Sequence, residues 1–493
     1  VSDFNLPEGW VETPLGEYLY LKNGYAFKSN SYVAKSDDTV PVIRISDIDG
    51  KIAHDEAAIH VKKADVVDGF EIKNGDLLIA MSGATTGKVG VYKGSEPAYQ
   101  NQRVGNLKLH SNEHGSPKYK NHLIASLTPD ILKIAYGGAQ PNISGKAIEE
   151  LLVALPPLAE QKQIAQKLDE LLAQVDTLKT RLEAIPKILK RFRQSVLAAA
   201  VSGRLTAEWR GSSSSKIQKI ELNDLESFWV DKYKAQNRKF KLPNIASPEF
   251  EIQDLPDSWL GTQLGYVFDV YVGATPSRTD QRFWGGSVSW VSSSEVAFCR
   301  IKSTKEKITE HGLSAASTHV HPKGTVMLAM IGQGKTRGQV AILDIEACHN
   351  QNTAALRIPN KFALSEYLYF YLSKQYEETR RVGGGNNQQA LNKATVQSLN
   401  FPLPPLEEQT EIVRRVEQLF AYADQIELRV RDAQARVKHL TQSILAKAFR
   451  GELTAEWRAQ NPELISGENS AAALLEWIKA ERNLVTSKKK PKR

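Results

Sequence analysis

The chain has 493 residues, 41% hydrophobic, 24% charged and 8% aromatic, with a formal net charge of +8 and a pI near 9.1. That length exceeds one ordinary core, so two or more domains are expected, and the positive balance favours an anionic partner without identifying one. No apolar run of about eighteen residues supports a membrane span, Val1 to Trp10 lack the basic-then-apolar order of a secretory signal, and two cysteines, Cys299 and Cys348, fit a reducing cytoplasm rather than a disulfide framework.

Residues 1–154 alternate short apolar runs with Gly, Asn, Asp and Ser turns. Pro41–Ile45, Asp76–Met81 and Val89–Tyr92 read as strands of a mixed α/β domain. Three polar clusters stand between such runs: Ser82–Lys88, which includes Thr85, Thr86 and Lys88; Gln100-Asn101-Gln102-Arg103; and Gly137–Asn142, which includes Gln140 and Asn142. Asn and Gln amides can pair bidentately with adenine, and Arg or Lys with guanine, while glycine admits close backbone approach to phosphate. These residues are therefore candidates for nucleic-acid contact, with ordinary turn chemistry as the competing reading.

Leu155-Pro156-Pro157-Leu158 opens the next segment, 155–210. Apolar residues then fall in 4-3 spacing at Ile164, Leu168, Leu171, Val175, Leu178, Leu182, Ile185, Leu189, Phe192 and Val196. That stripe predicts a coiled-coil helix of about 40 residues, roughly 60 Å long. Glu160 lies in its first turn and Gly203 marks its stop. Pro186 sits in mid-helix, where a ring and a missing N–H predict a bend or break. Residues 211–250 read as a linker with a short helix.

From there the chain repeats itself. Leu403-Pro404-Pro405-Leu406 answers Leu155–Leu158 at an offset of 248, and Gly451–Arg458 answers Gly203–Arg210 at the same offset. Without a gap, 24 of the 56 aligned positions are identical, so the unit is duplicated. Residues 251–402 form the second front domain, with strands expected at Val326–Met330 and Gln339–Leu343 and a helix at Ser365–Lys374. Its polar clusters match in place but not in wording. They supply Gln333, Lys335, Thr336 and Arg337; Asn350, Gln351 and Asn352; and Asn386, Asn387 and Gln388. Segment 403–458 repeats the helix with a stripe at Ile412, Val416, Leu419, Ala423, Ile426, Val430, Ala433, Val437, Leu440 and Ile444, and has Gln434 where the first copy has Pro186. Two matched helices most simply pair with each other; an antiparallel pair would relate the halves by a pseudo-two-fold axis. Residues 459–493 read as a helix and a basic tail, Lys488–Arg493.

Other chemistry has weaker support. Ala329–Thr336 imitates a phosphate-binding loop, but Gly338–Leu343 reads as a strand where a helix is required. Cys299, His319, His321 and Cys348 have no common zinc spacing. Glu71-Ile72-Lys73 with Asp65 or Asp68 is a nuclease-like triplet expected by chance. No methyl-donor glycine motif or Pro-Pro-aromatic motif of an adenine methyltransferase occurs.

Two variable domains alternating with two like helices, opened by Leu155–Gln161 and Leu403–Gln409 and closed by Gly203–Arg210 and Gly451–Arg458, resemble the specificity subunits of type I restriction–modification systems. The resemblance spans nearly the whole chain. It implies a cytoplasmic, non-catalytic subunit whose two target-recognition domains each read half of an interrupted, asymmetric double-stranded DNA site. It further implies that the paired helices set the gap and dock two methyltransferase subunits, with motor-nuclease subunits completing the complex. S-adenosylmethionine, ATP and Mg would belong to those partners, and this chain would bind no cofactor or metal. The alternative from another class is a coiled-coil adaptor whose front domains bind proteins.

Overall fold

The computed structural model describes residues 6–136, 141–213, 218–237, 254–332, 334–381 and 391–488. The chain forms two compact units. Unit 1 comprises Val1–Glu183 with Asp432–Arg493, and unit 2 comprises Ala184–Arg431. The division runs through both long helices, so each unit holds a front domain and a portion of each helix.

In unit 1 the central sheet has the order Leu19–Asn23, Val104–Leu109, Leu77–Ala80, Val89–Tyr92, Ile52–Ala53. Its pairs are antiparallel except the last. Successive side chains of a strand point to opposite faces. Leu77 and Ile79 accordingly face the helix Pro117–Ala135 through Tyr119, Leu123 and Ile131. Leu78 and Ala80 enter a second core with Ile43, Ile48 and Tyr92. A strand covered on both faces reads as an unbroken apolar run, which is why Leu77–Ala80 stands out in the sequence. A second sheet has the order Ile59–Lys62, Thr39–Ile43, Ala98–Gln100, Glu71–Ile72. The expected strand Pro41–Ile45 is displaced by two residues, whereas Val89–Tyr92 falls where expected.

Unit 2 repeats the central sheet strand for strand: Asp269–Val272, Thr353–Arg357, Val326–Ala329, Val340–Leu343, Cys299–Ile301. The strand after Gly338 removes the phosphate-loop reading, because the turn joins two antiparallel strands. The helix Ser365–Lys374 has the predicted bounds. The second sheet departs from that of unit 1. It has three strands, Glu306–Ile308, Trp284–Val291 and Cys348–His349. Sequence divergence between the copies is thus expressed in the smaller sheet and the loops, on a common central sheet. In both units a two-stranded ribbon closes the front domain, Val11–Pro14 with Leu152–Leu155 and Leu260–Gln263 with Asn400–Leu403.

The long helices span Leu158–Val201 and Leu406–Phe449, 44 residues each. In unit 1, Gln434 reaches the Leu182 carbonyl while Lys167 reaches the carbonyl of Leu453. In unit 2, Arg193 binds Asp424 and Glu427 while Arg415 reaches the carbonyl of Leu205. Rising numbers on one helix meet falling numbers on the other, so the pairing is antiparallel in each unit. The seam merges with the front-domain cores. Ile164, Leu168, Val175, Val437 and Ile444 join the unit 1 core, and Val196, Ile412 and Val416 join that of unit 2. Leu171, Leu182, Leu419 and Ile426 are half-buried and Val430 is buried.

Two expectations need correction. Of the bend or break expected at Pro186, the break does not occur: the first helix is continuous from Leu158 to Val201. Proline leaves the Leu182 carbonyl without its usual intrahelical donor, and Gln434 Nε2 stands 3.5 Å from that oxygen. The residue that replaces proline in the second copy thus supplies the hydrogen-bond donor that proline removes from the first. The seam also opens in unit 1. Leu178 and Leu440 remain 44% and 43% exposed, and a groove of about 650 Å³ beside the helix pair is lined there by Val175, Leu182, Gln434 and Val437.

Candidate nucleic-acid interface

The front domains are fixed to the helices by one device used twice. In unit 1, the Glu160 carboxylate is fully buried and accepts hydrogen bonds from Trp10 Nε1 at 2.8 Å, Thr454 Oγ1 at 2.6 Å and Arg458 at 2.5 Å. In unit 2, Glu408 accepts from Trp259 Nε1 at 2.9 Å, Thr206 Oγ1 at 2.6 Å and the guanidinium of Arg210. A buried carboxylate is tolerable only when paired and hydrogen-bonded, and here three donors meet that demand. The adjacent Gln161 accepts from Tyr18 Oη at 2.8 Å and donates to the Pro156 carbonyl at 3.0 Å. Gln409 likewise accepts from the Leu364 N–H and donates to the Phe362 and Pro404 carbonyls. Gly203 and Gly451 adopt φ of 72° and 74°. A Cβ on either would stand 2.5 Å from Pro256 or Pro7 respectively, so side chains are excluded twice over. Each joint therefore assembles the three repeated phrases, taking the Trp and the Pro-Pro-Leu segment from one copy and the Thr-Ala-Glu-Trp-Arg from the other.

At one end of the unit 1 sheet the predicted polar clusters converge. The Met81 N–H donates to the Arg103 carbonyl at 2.9 Å and the Ile143 N–H to the Met81 carbonyl at 2.9 Å. Ser82 and Asn142 form a β-bridge. Lys88, Gln102, Arg103 and Asn142 are exposed, and among the described residues Lys88 and Arg103 make no ion pair. Thr85 is half-buried and donates to the Ile45 carbonyl. Thr86 is buried, with its hydroxyl 2.6 Å from the Gly83 carbonyl, so it holds the turn and is unavailable to a ligand. Asn101 is half-buried, its amide 3.5 Å from Tyr32 Oη. Gly24 packs so closely that a Cβ would lie 2.0 Å from the Asn101 carbonyl. Gln140 lies outside the described residues.

Unit 2 brings its first two clusters together in the same way, with different chemistry. The Met330 N–H donates to the Asn352 carbonyl at 2.9 Å, and the Leu391 N–H to the Met330 carbonyl at 3.1 Å. Lys335 and Gln351 are exposed; Thr336, Arg337 and Asn352 are half-buried. Arg337 donates to the Arg380 carbonyl, which ties it to the scaffold. Asn350 is buried, and its amide oxygen accepts from the Asn352 N–H and the Thr353 hydroxyl. That oxygen therefore holds its own turn. Gln333, Asn386, Asn387 and Gln388 lie outside the described residues.

Beneath Asn350 lies a feature that sequence reasoning missed. Arg357 Nε donates to His321 Nδ1 at 3.0 Å, and His321 Nε2 faces His349 Nε2 at 3.2 Å. His349 Nδ1 lies 2.7 Å from Thr353 Oγ1 and 3.1 Å from the Asn350 carbonyl. With arginine as an obligate donor, the assignment runs in one direction. His321 carries its proton on Nε2, and His349 carries its own on Nδ1. Burial pushes His349 down to about 4, and burial, with the neighbouring His349 and Arg357, pushes His321 down to about 2, so both rings are neutral near pH 7. The pair supports the turn at Asn350–Thr353 from below. Cys348 and Cys299 turn their thiols to the carbonyls of Ser289 and Glu295, each at 3.4 Å, and so do not join His321 as a ligand set.

The family model described as the type I restriction modification DNA specificity domain matches residues 7–187 and 256–432. The chain is 36% identical over 496 residues to the type I restriction enzyme EcoBI specificity subunit of Escherichia coli, covering 98% of this chain and 95% of that one. It is 36% identical to the StySPI specificity subunit of Salmonella potsdam, covering 98% of each. It is 34% identical to the EcoKI specificity subunit of Escherichia coli strain K12, covering 99% of each. Among solved structures, the HsdS subunit from Thermoanaerobacter tengcongensis shares the fold, with a TM-score of 0.58 at 20% identity, over 92% of this chain and 99% of that one.

Proposed function

Since the chain belongs to the type I restriction–modification DNA specificity family, we propose that it selects a two-part, asymmetric DNA site for its complex and carries out no chemistry itself. One observation carries this reading: the same central sheet and the same Glu-centred joint occur in both units, while the small sheet and exposed loops differ. Like mounts with unlike reading surfaces suit two half-sites of different sequence. Lys88, Gln102 and Arg103 in unit 1 and Lys335 and Gln351 in unit 2 are the exposed donors and acceptors that would meet phosphates and base edges. A spacing near one helical turn, roughly 34–36 Å, would let two readers share one side of a duplex.

The long helices would dock two methyltransferase subunits, with motor-nuclease subunits joining them. Ile188, Tyr422 and Leu428 stand 58%, 59% and 62% exposed on the helices of unit 2, apolar surface suited to a protein partner. Adenine flipping and N6 methylation from S-adenosylmethionine, and ATP- and Mg-dependent cleavage, would reside in those partners. Among the described residues no helix is long and apolar enough to cross a membrane, and we place the complex in the cytoplasm. The test is to exchange residues 1–154 for the corresponding domain of a relative and map methylated adenines in cells carrying the complete system. One half-site should change and the other persist. Retention of both halves would refute the reading, and a complex that binds no duplex at any salt concentration would favour the protein adaptor.

A further inference from the structure

Unit 2 contains a strongly cationic groove beside its reading loop. About 910 Å³ in volume, it lies between the first long helix and the turn 334–338. Lys190, Arg191, Lys335, Lys374 and Arg380 line it against one carboxylate, Glu377. Lys374 is neutralised by Glu378 at 3.1 Å. Lys190, Arg191 and Lys335 are exposed and, among the described residues, make no ion pair. The wall is built rather than loose. Tyr376 donates to the Lys335 carbonyl at 2.5 Å and accepts from Arg380 at 2.7 Å, and Phe298 packs edge-on against its ring at 5.1 Å. Gln194 and Ser195 add neutral polar groups along the helix.

Unit 1 offers an internal comparison. The groove beside its helix pair also carries lysines, Lys51, Lys179 and Lys438. There Asp176 pairs with Lys51 at 3.1 Å and Glu183 with Lys179 at 3.9 Å. Acids balance the cations in one unit and not in the other. Uncompensated like charges gathered around a groove repel one another, and a polyanion relieves that cost.

We propose that this unit 2 groove takes the sugar-phosphate backbone of duplex DNA beside the half-site that unit 2 reads. The inference rests on the DNA-recognition reading above and adds a phosphate track on the helix itself. Such contacts carry affinity and salt dependence but no base preference.

The test uses the full chain assembled with its methyltransferase subunits, titrated with a duplex bearing the mapped site and a random duplex of equal length. Lys190→Gln/Arg191→Gln should lower the slope of log affinity against log salt by about 1–2, at about 0.9 for each phosphate no longer neutralised. Between about 50 and 200 mM salt, wild type would then lose about 4- to 16-fold more affinity than the variant. The ratio of specific to random binding should hold. Lys51→Gln/Lys179→Gln, with the same charge change, should leave the slope alone. An unchanged slope in the first variant overturns the inference, as does an equal fall in both. Failed assembly with an unchanged slope in the assembled fraction overturns it too, assigning the face to a protein. If the wild-type complex binds neither duplex, the underlying reading fails instead.

Discussion

Replacing Arg458 with methionine removes the cation from a carboxylate that has no access to solvent. Glu160 is fully buried and Arg458 is 13% exposed, so water cannot substitute for the missing guanidinium. Breaking a buried pair from one side costs about 3–5 kcal/mol, because the remaining charge is stranded. Trp10 and Thr454 still donate to Glu160, which favours the lower end of that range. Glu160→Gln/Arg458→Met removes the stranded charge and leaves an amide whose oxygen can still accept from both donors. Its cost should fall to about 1–3 kcal/mol, the penalty of an imperfectly satisfied buried polar group. Hydrogen exchange read by mass spectrometry resolves the effect by position. Amides at 7–16 and 451–458 that exchange through opening of the joint should speed up about 10²-fold or more in the single variant. Peptides 203–210 and 256–263, the matching joint of unit 2, serve as the internal control. A double variant as damaged as the single one, or damage spread equally over both joints, would refute the reasoning.

Other outcomes follow from the same structure. His321 and His349 are neutral when folded and titrate near 6.5 when unfolded, so below pH 6.5 the unfolded state binds more protons. Stability of unit 2 should therefore fall as pH drops from about 6.5 towards about 4, by up to ~1.4 kcal/mol per pH unit per ring; flat exchange protection at 321–329 and 348–357 between pH 7 and 5 would contradict this. Pro186→Ala restores an N–H for the Leu182 carbonyl and should raise stability by about 1–3 kcal/mol in urea unfolding. Gln434→Ala should cost about 0.5–1.5 kcal/mol in the natural chain and nearly nothing beside Pro186→Ala; equal costs in both backgrounds would dissolve the link. Gln102→Ala and Gln351→Ala should each weaken specific binding by about 1–3 kcal/mol, the worth of one bidentate amide–base pair, measured by titration of the complex with the mapped duplex. Normal affinity in both would return these amides to turn chemistry.

The duplication, the antiparallel helices and most of the named strands were legible because they rest on periodicity and on long identical phrases. Individual side-chain partners were less so. Asn350 and Thr86 have residue types suited to a ligand, yet the Asn350 amide oxygen and the Thr86 hydroxyl bond within their own turns, and no spacing rule shows that. Glu160 read as a first-turn acid favoured by the helix dipole; its partner Arg458 lies 298 residues away. The shared offset of Glu160 with Glu408 and of Arg458 with Arg210 was visible, but not that each acid meets the arginine of the other copy. Pro186 was judged by local rules alone, and a facing helix supplies the donor that those rules count as missing.

Unit 2 is one uninterrupted stretch, Ala184–Arg431, whereas unit 1 needs Asp432–Arg493 as well as Val1–Glu183. The order of synthesis then inverts the order of completion. As the ribosome delivers the chain, the later-made reader has all its parts first, and the earlier-made one waits for Thr454, Arg458 and the helix Ala471–Lys488, whose Leu474 and Ile478 fill its core. A stop codon after residue 431 would therefore strike the reader made from the earlier residues, Val1–Glu183.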